Sequence, residues 1–274
     1  MNIHGLYACT LIMLCINVAN YPAVANQQHQ DTLRIKIDPK LKLKYPCVDS
    51  LLQEMIADTQ GVFQRPVFVA FFTHHSLRLF ITERAMDTSI GAQTACHGLN
   101  NGHINDTILL NRLFFAGNGS KEYLASLVIH EAMHAYINWC KVLFVAKEPG
   151  VDSSYLQARF PLTWDSIITG ELTDEKQHVI MSVDLVDTMI TIMKRYTNDI
   201  GHAKKELLAK SLAWGGLYTT PKWKNLSKDC RLFVLEFLSR HMDLPKLQTV
   251  YPPDPCTPFI AAYRDVYKLR PICH

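Results

Sequence analysis

The feature that most constrains the fold is a continuous stretch, 121–144, that contains neither glycine nor proline. On a helical wheel its apolar side chains occupy nearly every face, and a helix of that kind belongs in the interior of a protein. Ser120 is positioned to act as N-cap, and Glu122 suits the positive end of the helix dipole. The sequence therefore predicts one long, buried helix around which the other elements must pack.

This helix carries three polar side chains in its middle, in the pentapeptide His130-Glu-Ala-Met-His134. Four residues are just over one helical turn, so both imidazoles lie on one face, with Glu131 one step round the helix. Burying three such groups together is costly unless hydrogen bonds or a bound ion satisfy them. Two interpretations follow: a metal site that includes His130 and His134, or a hydrogen-bonded polar cluster in the core.

The segments on either side of this helix indicate an α+β fold. Short β-rich segments precede it, and helical segments dominate after it. The predicted strands are 66–73, 77–82 and 106–111, and the predicted later helices are 174–196, 207–214, 229–242 and 260–267. In the helix 174–196, Asp174 as N-cap and Gln177 three residues later form a capping-box pattern. The expected architecture is a small N-terminal β-sheet packed on the helix of the pentapeptide, followed by a mainly helical C-terminal half.

The N-terminal segment has the pattern of a signal peptide. An apolar run, 6–18, is followed by Ala23-Val24-Ala25, which are small residues where signal peptidase requires them. We therefore expect cleavage of residues 1–25, a mature start near Asn26 and an exported protein, either secreted or periplasmic. The apolar run is too short to span a bilayer, and no later segment is suited to do so, so no membrane span is expected. Residues 26–274 suffice for a single domain with a substantial core.

Charge and cysteine content narrow the class of protein further. The formal net charge of +3 is too small to indicate a nucleic-acid partner. Of eight cysteines, Cys9 and Cys15 lie in the predicted signal peptide. The remaining cysteines are even in number in an exported chain, which favours disulfides. A bond between Cys256 and Cys273 would fix the C-terminal tail to the preceding segment. For Cys140, inside the apolar helix, an ordinary buried thiol is an equal alternative.

With two histidines that bracket a glutamate, the pentapeptide resembles the zinc-binding motif of the zincin metallopeptidases. The resemblance implies a Zn²⁺ cofactor bound by His130 and His134, with Glu131 as the general base that takes a proton from a zinc-activated water. It also implies hydrolysis of peptide bonds in a peptide or protein substrate. A looser similarity to SprT-like and related secreted bacterial HExxH proteins covers residues 105–220.

A catalytic zinc needs a third protein ligand, which the pentapeptide does not supply. The metzincin pattern would place glycine and histidine where this chain has Ile137 and Cys140, so that pattern is excluded. Gluzincins take a glutamate from a downstream helix, which makes Glu171 and Glu175 candidates. The preferred third ligand is His178, because it shares a helix face with several apolar residues and therefore points towards the core.

Further side chains are predicted to assist such a site. Asp174, one turn before His178 on the same face, either orients the imidazole of His178 as a hydrogen-bond acceptor or acts only as a helix cap. The segment 214–218 reads Trp-Gly-Gly-Leu-Tyr, and its glycines either allow a close backbone approach or only end a helix. Tyr218 or His202 would be suited to stabilise an oxyanion.

Other metal-competent residues lack the spacing of a metal site. They are His74 and His75, and the group of Cys96, His97 and His103. Neither set has the i, i+4 spacing of the pentapeptide or the paired C-x-x-C spacing of a zinc finger. We interpret them as loop or strand-end residues.

Three functions are compatible with these patterns. The leading interpretation is an exported zinc-dependent metallopeptidase in which residues 26–274 form a single zincin-like domain. The alternative is a non-catalytic binding or scaffold protein that keeps a zincin-like fold and a structural zinc, which predicts a closed site with four protein ligands. An amidase that acts on cell-wall peptides would use the same chemistry on another substrate.

Overall fold

A computed structural model describes residues 33–63, 76–87, 90–100, 103–114, 121–145, 160–170, 172–197 and 202–226, together with 154, 157–158, 228 and 231. The strands are β1 (Leu33–Ile37), β2 (Ser76–Arg84), β3 (Ala92–Asn100) and β4 (His103–Asn111). The helices are α1 (Pro39–Lys44), α2 (Pro46–Ala57), α3 (Lys121–Val145), α4 (Pro161–Thr169), α5 (Asp174–Ile180), α6 (Val186–Tyr196), α7 (His202–Ala213) and α8 (Pro221–Lys224). A 3-10 turn (Arg112–Phe114) follows β4, and a π-helical turn (Met181–Leu185) joins α5 to α6.

The four strands form one mixed sheet in the order β1-β2-β4-β3. β1 pairs parallel to β2 and β2 pairs parallel to β4, whereas β3 runs antiparallel to β4 and lies at one edge. In β4 every second residue from Ile104 to Leu110 is buried, as expected of a strand with one face against a core. The sheet therefore offers one buried face to the helices, which in β4 is apolar except for Asp106.

The helix α3 is the central element of the core, as its apolar sequence predicts. It packs against β3 and β4 and also contacts α6 and α7. Trp139 and Tyr136 of this helix are the largest fully buried side chains in the described part of the chain. Because other elements surround α3, no face of it needs to be polar, and this explains its unusual composition.

The helical segment from 174 to 196 is continuous but not uniform, since the π-helical turn lies within it. Its N-cap is Thr173, whose hydroxyl accepts a hydrogen bond from the backbone N–H of Lys176 at 3.2 Å. The prediction that Asp174 is the N-cap was therefore wrong by one residue. In the π-helical turn, Asp184 accepts hydrogen bonds from the backbone N–H and the hydroxyl of Thr163, at 2.8 and 2.9 Å. These bonds tie the turn to the first turn of α4, where backbone N–H groups need acceptors.

The observed architecture confirms the expected α+β class, with a small sheet on the N-terminal side and helices dominating after α3. The predicted strands 77–82 and 106–111 lie within β2 and β4, and the predicted helix 207–214 corresponds to α7. The strands β1 and β3 were missed: β1 has only five residues, and the edge strand β3 lacks an alternating apolar pattern. The predictions for 1–25, 66–73 and 260–267, and Ser120 as N-cap, fall outside the described residues, as does the predicted helix 229–242 except for Arg231.

Three cysteines in the described part of the chain, Cys47, Cys96 and Cys140, form no disulfide. Cys140 is buried in α3, and burial raises the pKa of its thiol to about 12, so it remains a neutral packing residue. The proposed pair of Cys256 and Cys273 lies outside the described residues. Among the helices that the structure describes, none has the length and apolar character needed to cross a membrane.

Candidate metal centre

Three imidazoles from two helices converge at one place beside the core. His130 and His134 come from α3, and His178 comes from α5. The Nε2 atom of His178 lies 3.3 Å from that of His130 and 3.2 Å from that of His134. We call these residues the three-histidine cluster. Within the described ranges, it is the only group of three or more metal-competent side chains whose donor atoms all lie within 4.8 Å of one another. The cluster is thus close enough to hold a metal ion.

The rings of the cluster direct nitrogen atoms, not faces, at each other. Their centroids are 5.0–5.3 Å apart and their planes are inclined by 44° to 70°. Stacked rings would instead be nearly parallel. The i, i+4 spacing on α3 supplies two of the rings from one helix face, and α5 supplies the third.

Burial disfavours the charged form of all three imidazoles. Desolvation is the largest cause that lowers the pKa of His130 well below its usual range and the pKa of His134 to about 4. Repulsion between neighbouring rings lowers both values further, and desolvation also lowers the pKa of His178. Neutral imidazole is the form that binds a metal, so burial favours the protonation state that an ion at this cluster would require.

Gln177 determines which nitrogen of His134 faces the cluster. The side-chain Oε1 of Gln177 lies 2.8 Å from Nδ1 of His134. Because Oε1 can only accept, Nδ1 carries the proton and Nε2 presents a lone pair to the cluster. Gln177 is itself held by donating from Nε2 to Asn138 Oδ1 at 3.3 Å and to the carbonyl of Leu172 at 3.5 Å. This is the outer hydrogen-bonding partner that metal-binding histidines commonly have.

Gly216 packs directly on the ring of His130. A Cβ at Gly216 would lie 2.8 Å from Cε1 and 3.3 Å from Nδ1 of that ring, and the backbone φ is +81°. Both the close approach and the left-handed conformation require glycine. Of the two interpretations of the segment 214–218, the close backbone approach is therefore confirmed at this position, just beyond the end of α7.

Glu131 is buried beside the cluster and touches the edge strand of the sheet. The hydroxyl of Thr94 in β3 lies 2.8 Å from both Oε2 and the backbone carbonyl of Glu131, and its single proton serves one acceptor at a time. Burial raises the pKa of Glu131 to about 7, and repulsion from Asp174 adds to this effect. The carboxyl group therefore changes its charge near neutral pH.

A cavity of about 580 Å³ opens in front of these groups. Its wall is formed by the beginning of β3, one face of α3, the start of α5 and the segment after α7. All three histidines, Glu131 and Tyr218 line this cavity. Of the two oxyanion candidates, Tyr218 thus lies at the site, whereas the side chain of His202 is outside the described part.

The other ligand candidates are not brought into the cluster. Glu175 is exposed on α5 and Glu171 is outside the described residues. Asp174 makes no hydrogen bond with His178 in the described structure; its Oδ1 lies 4.0 Å from Nε2 of His134 instead. Of the two interpretations of Asp174, orientation of His178 by a hydrogen bond is therefore not found, and the helix cap is Thr173. The sequence pattern indicated Gln177 only as part of a capping box. Its position next to His178 could have suggested that it lies near the cluster.

The histidines interpreted as loop or strand-end residues remain apart from the cluster where they are described. His97 is exposed on β3, with its Nε2 3.3 Å from Oγ1 of Thr107, and its neighbour Cys96 is also exposed. His74 and His75, and the side chain of His103, lie outside the described part.

Comparison of the chain with protein-family models, with curated proteins and with solved structures finds no match. The chemistry assigned to this site therefore rests on the geometry of the three-histidine cluster and of the side chains around it.

Replacing Gly216 with alanine is expected to weaken metal binding roughly 10–100-fold, the usual cost of disturbing a partner of a metal ligand. The new Cβ would stand 2.8 Å from Cε1 of His130, so the imidazole would have to leave its place in the cluster. Titration of the purified protein with Co²⁺ measures the affinity.

Gly170→Ala is the matched control, since Gly170 also has a positive φ, +74°, but no atom lies within 4 Å of an added Cβ. That variant is expected to lose about 1–2 kcal/mol of stability from the left-handed backbone alone. Its metal affinity should equal that of the wild type. Equal affinities for both alanine variants would show that Gly216 does not position His130.

Gln177→Met is also expected to weaken metal binding roughly 10–100-fold, because a thioether cannot hold the Nδ1 proton of His134 as the amide oxygen does. Gln177→Glu keeps an acceptor at that place and should bind metal at least as tightly as the methionine variant does. Co²⁺ titration of both variants tests this. Identical affinities for the wild type and Gln177→Met would mean that Gln177 does not select the tautomer of His134.

Glu131→Gln is expected to stabilise the metal-free protein at pH 8. The pKa of Glu131 is about 7 in the folded protein and 4.5 in the reference state, so the folded state binds more protons between these values and loses stability as pH rises through them. Removing the carboxylate should raise the free energy of unfolding at pH 8 by on the order of 2–3 kcal/mol, and hardly change it near pH 4.

Urea unfolding of both proteins in the presence of a chelator measures this difference. The histidines titrate in both proteins, so their contribution cancels in the comparison. A difference that does not change between pH 4 and pH 8 would contradict the burial of an ionisable Glu131.

Proposed function

We propose that the protein is an exported zinc-dependent metallopeptidase that hydrolyses peptide bonds in a peptide or protein substrate. The observation that carries the proposal is the convergence of three imidazole Nε2 atoms, 3.2 and 3.3 Å from one another about His178, beside the buried carboxyl of Glu131. The resemblance of the pentapeptide at 130–134 to the zincin motif supports the same activity.

The donor set favours zinc among the common ions. Imidazole nitrogen suits Zn²⁺, whereas Ca²⁺ and Mg²⁺ take oxygen ligands. Two donors that share one tetrahedral zinc at about 2.0–2.1 Å are themselves about 3.3 Å apart. The two separations that involve His178, 3.2 and 3.3 Å, agree with this value, and the donor atoms of all three histidines lie within 4.8 Å of one another. Three histidine ligands from the protein are also typical of a catalytic zinc, which keeps one position open.

When bound, the zinc supplies a Lewis acid that makes water nucleophilic near neutral pH and polarises the carbonyl of the substrate. The proton transfers belong to Glu131. A general base works best when its pKa lies close to the working pH, and burial raises the pKa of Glu131 to about 7. Glu131 accepts a proton from the attacking water and passes it to the leaving amine. Thr94 holds the carboxyl group in place through Oε2.

The cavity of about 580 Å³ is the proposed substrate site. It is large enough to enclose a few side chains of a peptide, and both reacting groups face it. Tyr218 is the proposed donor to the charge that develops on the carbonyl oxygen, because its side chain lines the same cavity. Export through the signal peptide 1–25 would place this activity outside the cytoplasm.

Glu131→Gln is the decisive variant for this function. It should retain zinc, because the three histidines are unchanged, and it should lower kcat/KM for peptide hydrolysis roughly 10²–10⁴-fold, the usual contribution of a general base. His178→Ala should lose both zinc and hydrolysis. A mixed set of internally quenched peptides reports hydrolysis, and elemental analysis of the purified protein reports zinc.

His97→Ala is the control, since His97 is an exposed histidine of β3 outside the cluster. It should keep full zinc content and full activity. A wild-type protein that holds one zinc but cleaves no peptide would overturn the peptidase proposal and favour the scaffold alternative.

A further inference from the structure

We propose that Asp174 is a displaceable fourth ligand of the metal, bound to the ion when the cavity is empty and released when a substrate or another ligand enters. This inference rests on the metal site of the proposed function. It adds a donor that the resemblance to zincins does not supply. It also concerns whether the metal keeps a coordination position that a substrate can occupy.

The first argument is the arrangement of donors on the two helices. His130 and His134 are four residues apart on α3, and Asp174 and His178 are four residues apart on α5. Residues at this spacing lie on the same face of a helix, one turn apart. Two helices therefore present two donors each towards one place, and three of the four donors already meet there.

The second argument is the side from which Asp174 approaches His134. Its Oδ1 lies 4.0 Å from Nε2, the nitrogen that faces the cluster. The opposite nitrogen, Nδ1, is occupied by Gln177. A distance of 4.0 Å is too long for a hydrogen bond, so hydrogen bonding to His134 does not account for the position of the carboxylate. Two donors of a tetrahedral zinc are roughly 3.3 Å apart. The carboxylate is not among the donor atoms that lie within 4.8 Å of one another, so the exposed side chain of Asp174 must turn towards the cluster to bind the ion.

The third argument is that the described structure assigns Asp174 no other role that requires its side chain. Thr173 is the N-cap of α5 and accepts the hydrogen bond from Lys176. No hydrogen bond to the Asp174 carboxylate occurs among the described residues, and the side chain lines the cavity. A favourable interaction with the helix dipole remains, but Glu175 provides a negative charge in the same turn.

Exposure is what makes this ligand displaceable. The side chain of Asp174 is 83% exposed, whereas that of His134 is 8% exposed. A carboxylate that leaves the ion is therefore hydrated at once, and its release carries no burial penalty. The imidazoles of His130 and His134 are buried and would not be hydrated if they left the ion. A structural zinc, by contrast, has four ligands that all stay bound.

The test compares Asp174→Ala and Asp174→Asn with Glu175→Gln, an exposed neighbour in the same helical turn with the same change of charge. Each full-length protein is loaded with Co²⁺, whose visible absorption responds to the number and type of ligands. We expect the spectra of the wild type and Glu175→Gln to agree, and those of both Asp174 variants to differ from them. Co²⁺ affinity should fall roughly tenfold or more in the Asp174 variants, in the range seen when partners of ligands are removed.

Acetohydroxamate, a small chelating ligand, provides the second measurement. If Asp174 is displaced, the spectra of the wild type and Asp174→Ala should become the same once acetohydroxamate is bound. A wild-type spectrum that acetohydroxamate does not change would overturn displacement and indicate a closed, structural site.

Spectra and affinities for Asp174→Ala that match those of Glu175→Gln would overturn the assignment as a ligand. If that variant also has a raised KM for peptides with a free amino terminus, Asp174 instead recognises a cation of the substrate. Failure of the proposed function gives a different result. In that case the Co²⁺ spectrum and affinity still depend on Asp174, but no peptide is cleaved. A wild-type protein that binds no Co²⁺ would overturn both proposals.

Discussion

The burial of two imidazoles and a carboxyl group on the central helix is the constraint on which the rest of the structure depends. Taken as whole residues, with backbone and side chain together, His130, Glu131 and His134 are 8%, 5% and 6% exposed, in a helix that is otherwise almost entirely apolar. Such groups destabilise a core unless each finds a partner. The partners come from elements distant in sequence: Thr94 from the edge strand β3 for Glu131, and Gln177 from α5 for His134.

The second helical segment supplies both the third imidazole and the group that orients the second one. Gln177 and His178 are adjacent in sequence, yet one contacts Nδ1 of His134 while the other contacts its Nε2. Beyond them, the π-helical turn changes the phase of the helix before α6 packs on α3. Turns of this kind occur often near functional sites. Because of this turn, the first part of the segment, α5, contributes to the three-histidine cluster, whereas the second part, α6, packs in the core.

The three-histidine cluster and Glu131 combine several unfavourable electrostatic contributions to stability. Three imidazoles with lowered pKa values face one another, and burial raises the pKa of Glu131 although Thr94 donates to its carboxyl group. A cation at the cluster would favour both the lone pairs and the carboxylate. Metal binding would then contribute directly to folding stability, since an ion that binds only the folded state stabilises it. Gly216 adds a constraint of shape, because no side chain fits between that backbone and His130.

Particular residues show how much of the fold and of the candidate site can be predicted from the sequence. The apolar stretch 121–144 determined a buried central helix, and the i, i+4 pair His130 and His134 followed from helical periodicity alone, because both are local properties of the chain. The apolar face around His178 correctly indicated an inward direction. The contact of Gln177 with His134 and the approach of Gly216 to His130 could not be obtained in this way. They depend on the packing of α5 and of the segment after α7 against α3, and contacts between distant segments leave no periodic trace in the sequence. The sequence by itself thus determined which side chains must be buried and need partners, whereas only the tertiary structure decided which partners they have.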